Sequence, residues 1–341
     1  MNNFNLQVKS VYNYLHKVKV KIGVSSLTVS LFFGFPLSMA IVVYVGFYTP
    51  FWPLLLIYLI WMYTVDKSTC ETGGRKKLNL RWCNEHYVDY FPLTYEINGD
   101  VELDPAQNYL FCCYPHAVIS YGAIVLFTTN IQNGFRKLFP KHAYRMVTLG
   151  MLFNIPFVRE VFLETGACSA SERSLNHLLG NSGGGTIVGL VVGGAEEALY
   201  AKPGEYRIIL NNRRGFIRVA LKNGTPIVPV FSFGANETFA QIHNRYILAF
   251  QRCVKTITGA FPVFMNGHGY FQDSFGLVPL QKPIHTVIGK PIEVQKVLNP
   301  TKEEINNLHQ KFKEELTRIS LFNEYKLKYI ENSENVNLII H

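Results

Sequence analysis

The sequence predicts an α/β domain, a sheet flanked by helices, carried on an N-terminal transmembrane hairpin. Two observations predict it. From Ile22 to Val65, 44 consecutive residues of the 341 include no Asp, Glu, Lys, Arg or His. Beyond residue 66, short apolar runs bounded by turn residues alternate with helical patterns, which is the texture of one α/β domain.

The charge-free run would be about 66 Å long as a helix, against a hydrocarbon core of about 30 Å, so it is long enough to cross twice. A signal peptide has an apolar core of only about 7 to 15 residues, and that reading fails on length. Pro50 and Pro53, beside Thr49, offer a place to reverse. Two arms, about 24–47 and 51–65, fit best; a single span or a buried loop is the alternative. Two crossings leave both ends on one side. Residues 1–21 form a basic segment with Lys9, Lys17, Lys19, Lys21 and no acid, and Lys67, Arg75, Lys76, Lys77 and Arg81 follow the hairpin. Basic flanks at both ends predict both ends in the cytosol.

Composition narrows the class further. Charged residues make up 17% of the chain, where soluble domains carry about 25%. Outside the 44-residue run the 57 charged residues fall in 297, about 19%, which is still low. Disorder, a collagen-like chain and a small disulfide scaffold are excluded on these grounds, and a freely soluble cytosolic enzyme is not expected. The net charge of +9 lies beside the membrane run. Anionic lipid head groups are its natural partner, and no nucleic-acid module accompanies it. Six cysteines without a CxxC pair or a Cys/His zinc spacing predict reduced thiols and no metal. Sequons at Asn223 and Asn236 would be silent in a cytosolic domain.

Within 66–341, strands are predicted over Tyr109–Cys113, Arg145–Leu149, Thr186–Val192, Ile227–Phe233, Phe261–Phe264 and His285–Gly289. Ser169-Ala-Ser-Glu172 fits a capping box ahead of Leu175, Leu178 and Leu179. Gly215–Asn223 predicts a helix stopped by Gly224. Thr301-Lys-Glu-Glu304 opens an amphipathic helix with Ile305, Leu308, Phe312, Leu316 and Ile319 inward. Pro229 places its strand at an edge or a bulge. The stretch 235–260 has the least periodicity and reads as a long loop or lid.

Three segments could carry chemistry. Phe111-Cys-Cys-Tyr-Pro-His116 sets His116 just beyond the carboxyl end of a strand, where α/β sheets place ligands. Its ordinary pKa of about 6.5 suits a general base, although a histidine bonded structurally at a strand end reads the same. Val192-Gly193-Gly194-Ala-Glu196-Glu197 ends another strand. Its glycine turn could hold an oxyanion and a carboxylate could orient a histidine, or the turn could be only a turn. Arg207, Arg213, Arg214, Arg218 and Lys222, beside a helix start, suit phosphate binding or a solvated face. Gly180-Asn-Ser182-Gly-Gly184 fits a hydrolase elbow in letters alone, because a helix precedes it and a strand follows.

Taken together, the segments resemble the type 2 diacylglycerol acyltransferase and monoacylglycerol acyltransferase family of the endoplasmic reticulum. The residues that carry the resemblance are Tyr114-Pro-His116-Ala117, Ile155-Pro-Phe-Val-Arg159-Glu160, Val192-Gly-Gly-Ala-Glu-Glu-Ala198 and Asn212-Arg-Arg-Gly-Phe216. It continues in Pro226-Ile-Val-Pro-Val-Phe-Ser-Phe-Gly234, Phe275-Gly-Leu-Val-Pro279 and Gly289-Lys-Pro-Ile292. The family's His-Pro-His-Gly becomes Tyr114-Pro-His116-Ala117 here.

The resemblance implies a membrane-anchored, glycerolipid-acyltransferase-like fold and transfer of a fatty acyl group from acyl-CoA to the hydroxyl of mono- or diacylglycerol. No cofactor is implied, acyl-CoA being a substrate. His116 would be the catalytic base, with Glu197 supplying its carboxylate and Gly193 and Gly194 the oxyanion turn. Arg213 and Arg214, with Arg159 as a further partner, would bind the CoA phosphates. Relatives acting on glycerol phosphates carry an Asp where this chain reads Ala117-Val-Ile-Ser-Tyr121, with no acid. The implied location is the endoplasmic reticulum membrane with a cytosolic catalytic domain, the lipid droplet being a second site; a homo-oligomer is left open. Wax or retinyl ester synthesis is the enzymatic alternative, and an inactive lipid-binding or lipid-droplet protein the other.

Overall fold

The computed structural model describes all residues except 1, 76–80, 100, 129–134, 242–243, 259–262, 273, 318–321 and 331–335. The charge-free run folds as parts of two helices, α1 (Asn2–Tyr48) and α2 (Trp52–Thr64). The chain reverses over residues 49–51, where the Phe51 N–H donates to Thr49 Oγ1 at 3.2 Å and Pro53 sits in the first turn of α2. The 38 residues Val11–Tyr48 are long and apolar enough to cross a membrane. The 13 residues of α2 span about 20 Å.

Helix α1 runs unbroken through residues 21 and 22, so the basic segment and the apolar run share one rod. One stripe of its middle packs on the domain. Val20, Val24 and Thr28, spaced i, i+4, i+8, are buried on one stripe against the domain. Thr28 Oγ1 lies 2.9 Å from the Tyr121 hydroxyl and Ser25 Oγ 2.7 Å from that of Tyr270. At Gly23 a Cβ would come within 2.0 Å of the His86 ring on α3 (Arg81–Tyr90), so only glycine allows that crossing.

The remaining chain builds the domain in the order β1 (Leu93–Ile97), β2 (Tyr109–Tyr114), α4 (Tyr121–Thr128), α5 (Phe135–Leu138), β3 (Ala143–Thr148), α6 (Val158–Glu164), β4 (Cys168–Ser169), α7 (Glu172–Leu179), β5 (Thr186–Val191) and β6 (Tyr206–Ile208). There follow α8 (Gly215–Asn223), β7 (Ile227–Phe233), β8 (Ala240–Gln241), α9 (Arg245–Thr258), β9 (Met265–Asn266), β10 (Ile284–Ile288), α10 (Lys302–Thr317), α11 (Phe322–Tyr329) and β11 (Leu338–Ile340).

Seven strands form one sheet in the order β1-β10-β7-β2-β5-β3-β4. The run β7, β2, β5, β3, β4 is parallel, and β10 joins it antiparallel to β7. Strands β2 and β7 are buried at every residue, as continuous apolar strands covered on both faces should be. Leu110, Cys112 and Tyr114 point into the core with α7, α8 and α10, while Phe111 and Cys113 point into the core with α4 and α5.

Helix caps follow the sequence in two of three cases. Gly224 ends α8 in the left-handed region, and Thr301 with Glu304 closes a reciprocal capping box, Glu304 N–H to Thr301 Oγ1 at 3.2 Å and Thr301 N–H to Glu304 Oε2 at 2.7 Å. The cap of α7 is Ser171, which accepts the Ser174 N–H, and not Ser169. Pro229 is not at an edge, since β7 lies between β10 and β2. It sits where the pairing of Val230 with Ile288 gives way to that of Ile227 with Ile292. One extra residue on the second chain makes a bulge there, which accommodates the missing N–H. The region read as a loop over 235–260 contains the 14-residue helix α9. Of the strand expected over 261–264, residues 261–262 lie outside the described residues, as does Ile319.

An ion-pair network fixes α2 to the domain. Arg159, 1% exposed, donates to Asp66 Oδ2 at 2.7 Å, Glu160 Oε1 at 2.9 Å and the carbonyls of Phe153 and Asp66. Arg75 bridges Asp66 and Glu160 and stacks 5.0 Å over Trp61, while the Tyr58 ring lies 5.3 Å from that of Phe157. Removing one partner of a buried network leaves the others uncompensated. Arg159→Ala is expected to lower stability by about 3 kcal/mol and Arg159→Lys by less, read as a drop in Tm in detergent; an unchanged Tm for Arg159→Ala would show the network to be idle.

Candidate active site

Strands β2 and β5 are neighbouring and parallel, so their carboxyl ends open on the same edge of the sheet. In open α/β sheets that edge is where ligands bind. The chain leaves β2 through Tyr114 and Pro115 and reaches His116. It leaves β5 through Val192 into Gly193–Gly194 and then a short helical turn, Glu197–Tyr200.

Glu197 is 1% exposed. Its Oε1 accepts the main-chain N–H of His116, and its Oε2 accepts that of Ile209 at 2.9 Å. One carboxylate therefore ties the end of β2, the end of β5 and the segment after β6. Glu197 reaches His116 through its main chain and not through its ring. The imidazole is set by its own neighbour, Nδ1 lying 2.9 Å from the Ala117 carbonyl. A carbonyl only accepts, so Nδ1 carries the proton and Nε2 keeps its lone pair. Among the described residues nothing is bonded to Nε2. Ala117, at φ 53°, occupies the left-handed region that glycine enters freely and alanine at a cost of about 1 kcal/mol.

The glycine turn is shaped by the same carboxylate. A Cβ at Gly193 would stand 1.9 Å from Glu197 Oε2, so only glycine lets the carboxylate fold back over the turn. The Gly193 carbonyl accepts Arg213 Nη2 at 3.1 Å, and that guanidinium pairs with Glu196 at 3.2 Å. Beside it Gly194 is left-handed, with open space where a side chain would stand.

Burial decides the proton affinities. It pushes the Glu197 carboxyl up to about 7, against the opposing pull of its two N–H donors and of Arg213. It lowers the His116 imidazole, opposed by the Ala117 carbonyl. A neutral imidazole with a bare Nε2 can take a proton from a hydroxyl.

The structure thus brings together His116, Glu197, Gly193, Gly194 and Arg213. Arg214 is exposed at the start of α8, with Nε 3.0 Å from Asn306 Oδ1. Arg159 stands apart, buried in the α2 network with its donors engaged, and offers nothing to a phosphate. Asn236 is 2% exposed and bonded to the Glu205 carbonyl, which closes that sequon to sugar in the folded chain. The Gly180–Gly184 stretch joins α7 to the amino end of β5, the inverse of a nucleophile elbow.

A family model described as diacylglycerol acyltransferase matches residues 44–341. The chain belongs to this family. It is 42% identical over 297 residues to the 2-acylglycerol O-acyltransferase 1 of Bos taurus, covering 85% of this chain and 86% of that one. It is 40% identical over 283 residues to the diacylglycerol O-acyltransferase 2 of Dictyostelium discoideum, covering 81% and 83%. To the acyl-CoA wax alcohol acyltransferase 2 of Homo sapiens it is 33% identical over 309 residues, covering 88% and 90%. Among solved structures, a 1-acyl-sn-glycerophosphate acyltransferase from Thermotoga maritima aligns at 11% identity and a TM-score of 0.37, over 75% of this chain and 92% of that one.

Within this diacylglycerol acyltransferase family member, two of the main-chain contributors to the site are groups that sequence reasoning did not single out: the Ile209 N–H and the Ala117 carbonyl. No residue type announces either.

A carboxyl raised from 4.5 to about 7 holds a proton in the folded protein that the unfolded chain releases. Stability from this group is full below the unfolded value and is lost as pH rises through the folded value. The Tm of the wild type minus that of Glu197→Gln is therefore expected to fall from about pH 4.5 to about pH 7 and then level. A difference independent of pH would contradict the raised carboxyl.

Proposed function

We propose that the chain transfers a fatty acyl group from acyl-CoA to the free hydroxyl of mono- or diacylglycerol, with His116 as general base. The bare Nε2 of a neutral His116, dictated by the Nδ1–H bond to the Ala117 carbonyl, carries the reading. Nε2 takes the acceptor's hydroxyl proton as the oxygen forms its bond to the thioester carbonyl. The C–S bond then breaks and the CoA thiolate leaves, receiving the proton from the imidazolium. No acyl-enzyme is needed, because both substrates are held at once, and positioning contributes alongside proton transfer. Glu197 positions His116 through the main chain, and the turn at Gly193 and Gly194 holds the developing oxyanion. Arg213, beside this turn, and Arg214, exposed at the start of α8, take the CoA phosphates.

The long apolar helix α1 supports a membrane location. We read α1 and α2 as the two arms of a membrane hairpin, in the endoplasmic reticulum with both ends and the catalytic domain cytosolic. An acceptor dissolved in the leaflet then reaches the site laterally. The names of the relatives support acylglycerols as acceptors, and the wax alcohol relatives make a long-chain alcohol the competing one.

Labelled acyl-CoA offered with monoacylglycerol, diacylglycerol and a long-chain alcohol separates these acceptors. Incorporation is expected into an acylglycerol first, and preference for the alcohol would favour ester synthesis of the wax type. His116→Ala is expected to lower the rate by about 10²–10⁴-fold; near-normal transfer by that variant would remove His116 from the mechanism.

A further inference from the structure

Outside the main sheet, β11 pairs in parallel with β6, Leu338 opposite Tyr206 and Ile340 opposite Ile208. Two strands of three residues are not stable alone, and this pair is extended at its end. The His341 N–H donates to the Ile208 carbonyl at 2.9 Å. The His341 carbonyl accepts two N–H groups, those of Leu210 at 2.9 Å and Asn211 at 2.8 Å. Asn211 Nδ2 donates to the Ile340 carbonyl at 3.2 Å. The His341 ring stacks on Tyr200 at 5.5 Å, and Tyr200 closes the helical turn that Glu197 opens.

Segment 208–211 is gripped on the other side by α10, with His309 Nε2 3.0 Å from the Leu210 carbonyl and Lys313 Nζ 2.9 Å from Asn211 Oδ1. Between these grips stands Ile209, whose N–H turns away to Glu197 Oε2. Arg213, which holds the Gly193 carbonyl, follows at once, its N–H bonded to Leu210. We propose that residues 338–341 are a positioning latch for acyl transfer: they fix 208–211, and through Ile209 they fix the carboxylate that holds His116. The latch rests on the reading of His116 and Glu197 given above. Losing it frees the main-chain groups of Ile208, Leu210 and Asn211 together and takes Leu338 and Ile340 from the edge of the core that holds Ile208 and Leu210, so Ile209 loses its fixed direction while the pairing of the seven-stranded sheet, which does not include β11, is untouched.

The test compares the full chain with one lacking residues 338–341, both in detergent micelles. Hydrogen exchange over 205–214 and acyl-transfer kinetics are read on each, with and without a synthetic peptide of residues 336–341. Exchange over 205–214 is expected to speed by at least roughly tenfold and kcat to fall by at least roughly tenfold, with KM for acyl-CoA changed by less than about threefold. The peptide is expected to restore both. Unchanged exchange over 205–214 overturns the latch. Faster exchange with kcat intact also overturns it, and Glu197→Gln in the same assay locates the fault. If Glu197→Gln also keeps its kcat, the site reading has failed; if it loses activity, only the latch has. Should the shortened chain not fold, His341→Pro removes the N–H bond to Ile208 and the ring stack alone and is expected to move both readouts the same way by less; movement in neither overturns the latch.

Discussion

The site is organised around one buried carboxylate. Taking Glu197 out of water costs several kcal/mol as an anion, and two N–H donors, at roughly 1.5–3 kcal/mol each for bonds to a charged group, return part of that cost. Desolvation wins, which is why the carboxyl rises to about 7 in spite of both donors and Arg213. The group is held because three chain segments converge on it: the end of β2, the glycine turn after β5 and the segment after β6. Each gives a main-chain group or a missing side chain to the arrangement, and each would be placed differently without it. His116 is the beneficiary, with its backbone fixed by Glu197 and its ring by Ala117.

A second constraint joins this chemistry to the helices at the start of the chain. Helix α1 enters the domain along Val20, Val24 and Thr28, crosses α3 where Gly23 leaves room for His86, and continues to the reversal at residues 49–51. Helix α2 is tied at its far end by Asp66, Arg75, Arg159 and Glu160. Both helices are attached to the domain, α1 along α3 and α4 and on to the start of α6, where Ser38 Oγ donates to the Pro156 carbonyl, and α2 at α6. A pair of arms fixed in this way holds the domain in one orientation to whatever surrounds them, which is what an enzyme with an oily acceptor requires.

Much of this was legible. The strands β2, β3, β5, β7 and β10 fall within two residues of the runs read from the sequence, because short stretches rich in apolar and β-branched residues are bounded by turn residues, and the central β2, β5 and β7 are almost wholly apolar. The reversal at Pro50–Pro53 and the caps of α8 and α10 were legible for the same local reason. What could not be read depends on partners distant in sequence. Helix α9 is an exception, since Tyr246, Phe250, Cys253 and Val254 recur at helical spacing within the segment read as a loop, although Tyr246 and Phe250 are exposed. Pro229 is admitted to an interior strand by a bulge on a chain some 60 residues away in sequence. Arg159 resembles a phosphate ligand in its motif and is a buried strut in space. The three-residue strands β6 and β11 carry no period at all, and the bond from Ile209 to Glu197 involves a main-chain group of no particular residue type.

The claim most exposed to test is that the Glu197 carboxylate places His116 for proton transfer. The decisive measurement is the steady-state acyl transfer of Glu197→Gln, which keeps the shape but sets an NH₂ group against one of two N–H donors. The account predicts a kcat lowered by about 10²-fold with KM for acyl-CoA little changed, the signature of a misplaced reacting group. A kcat equal to that of the wild type would contradict it.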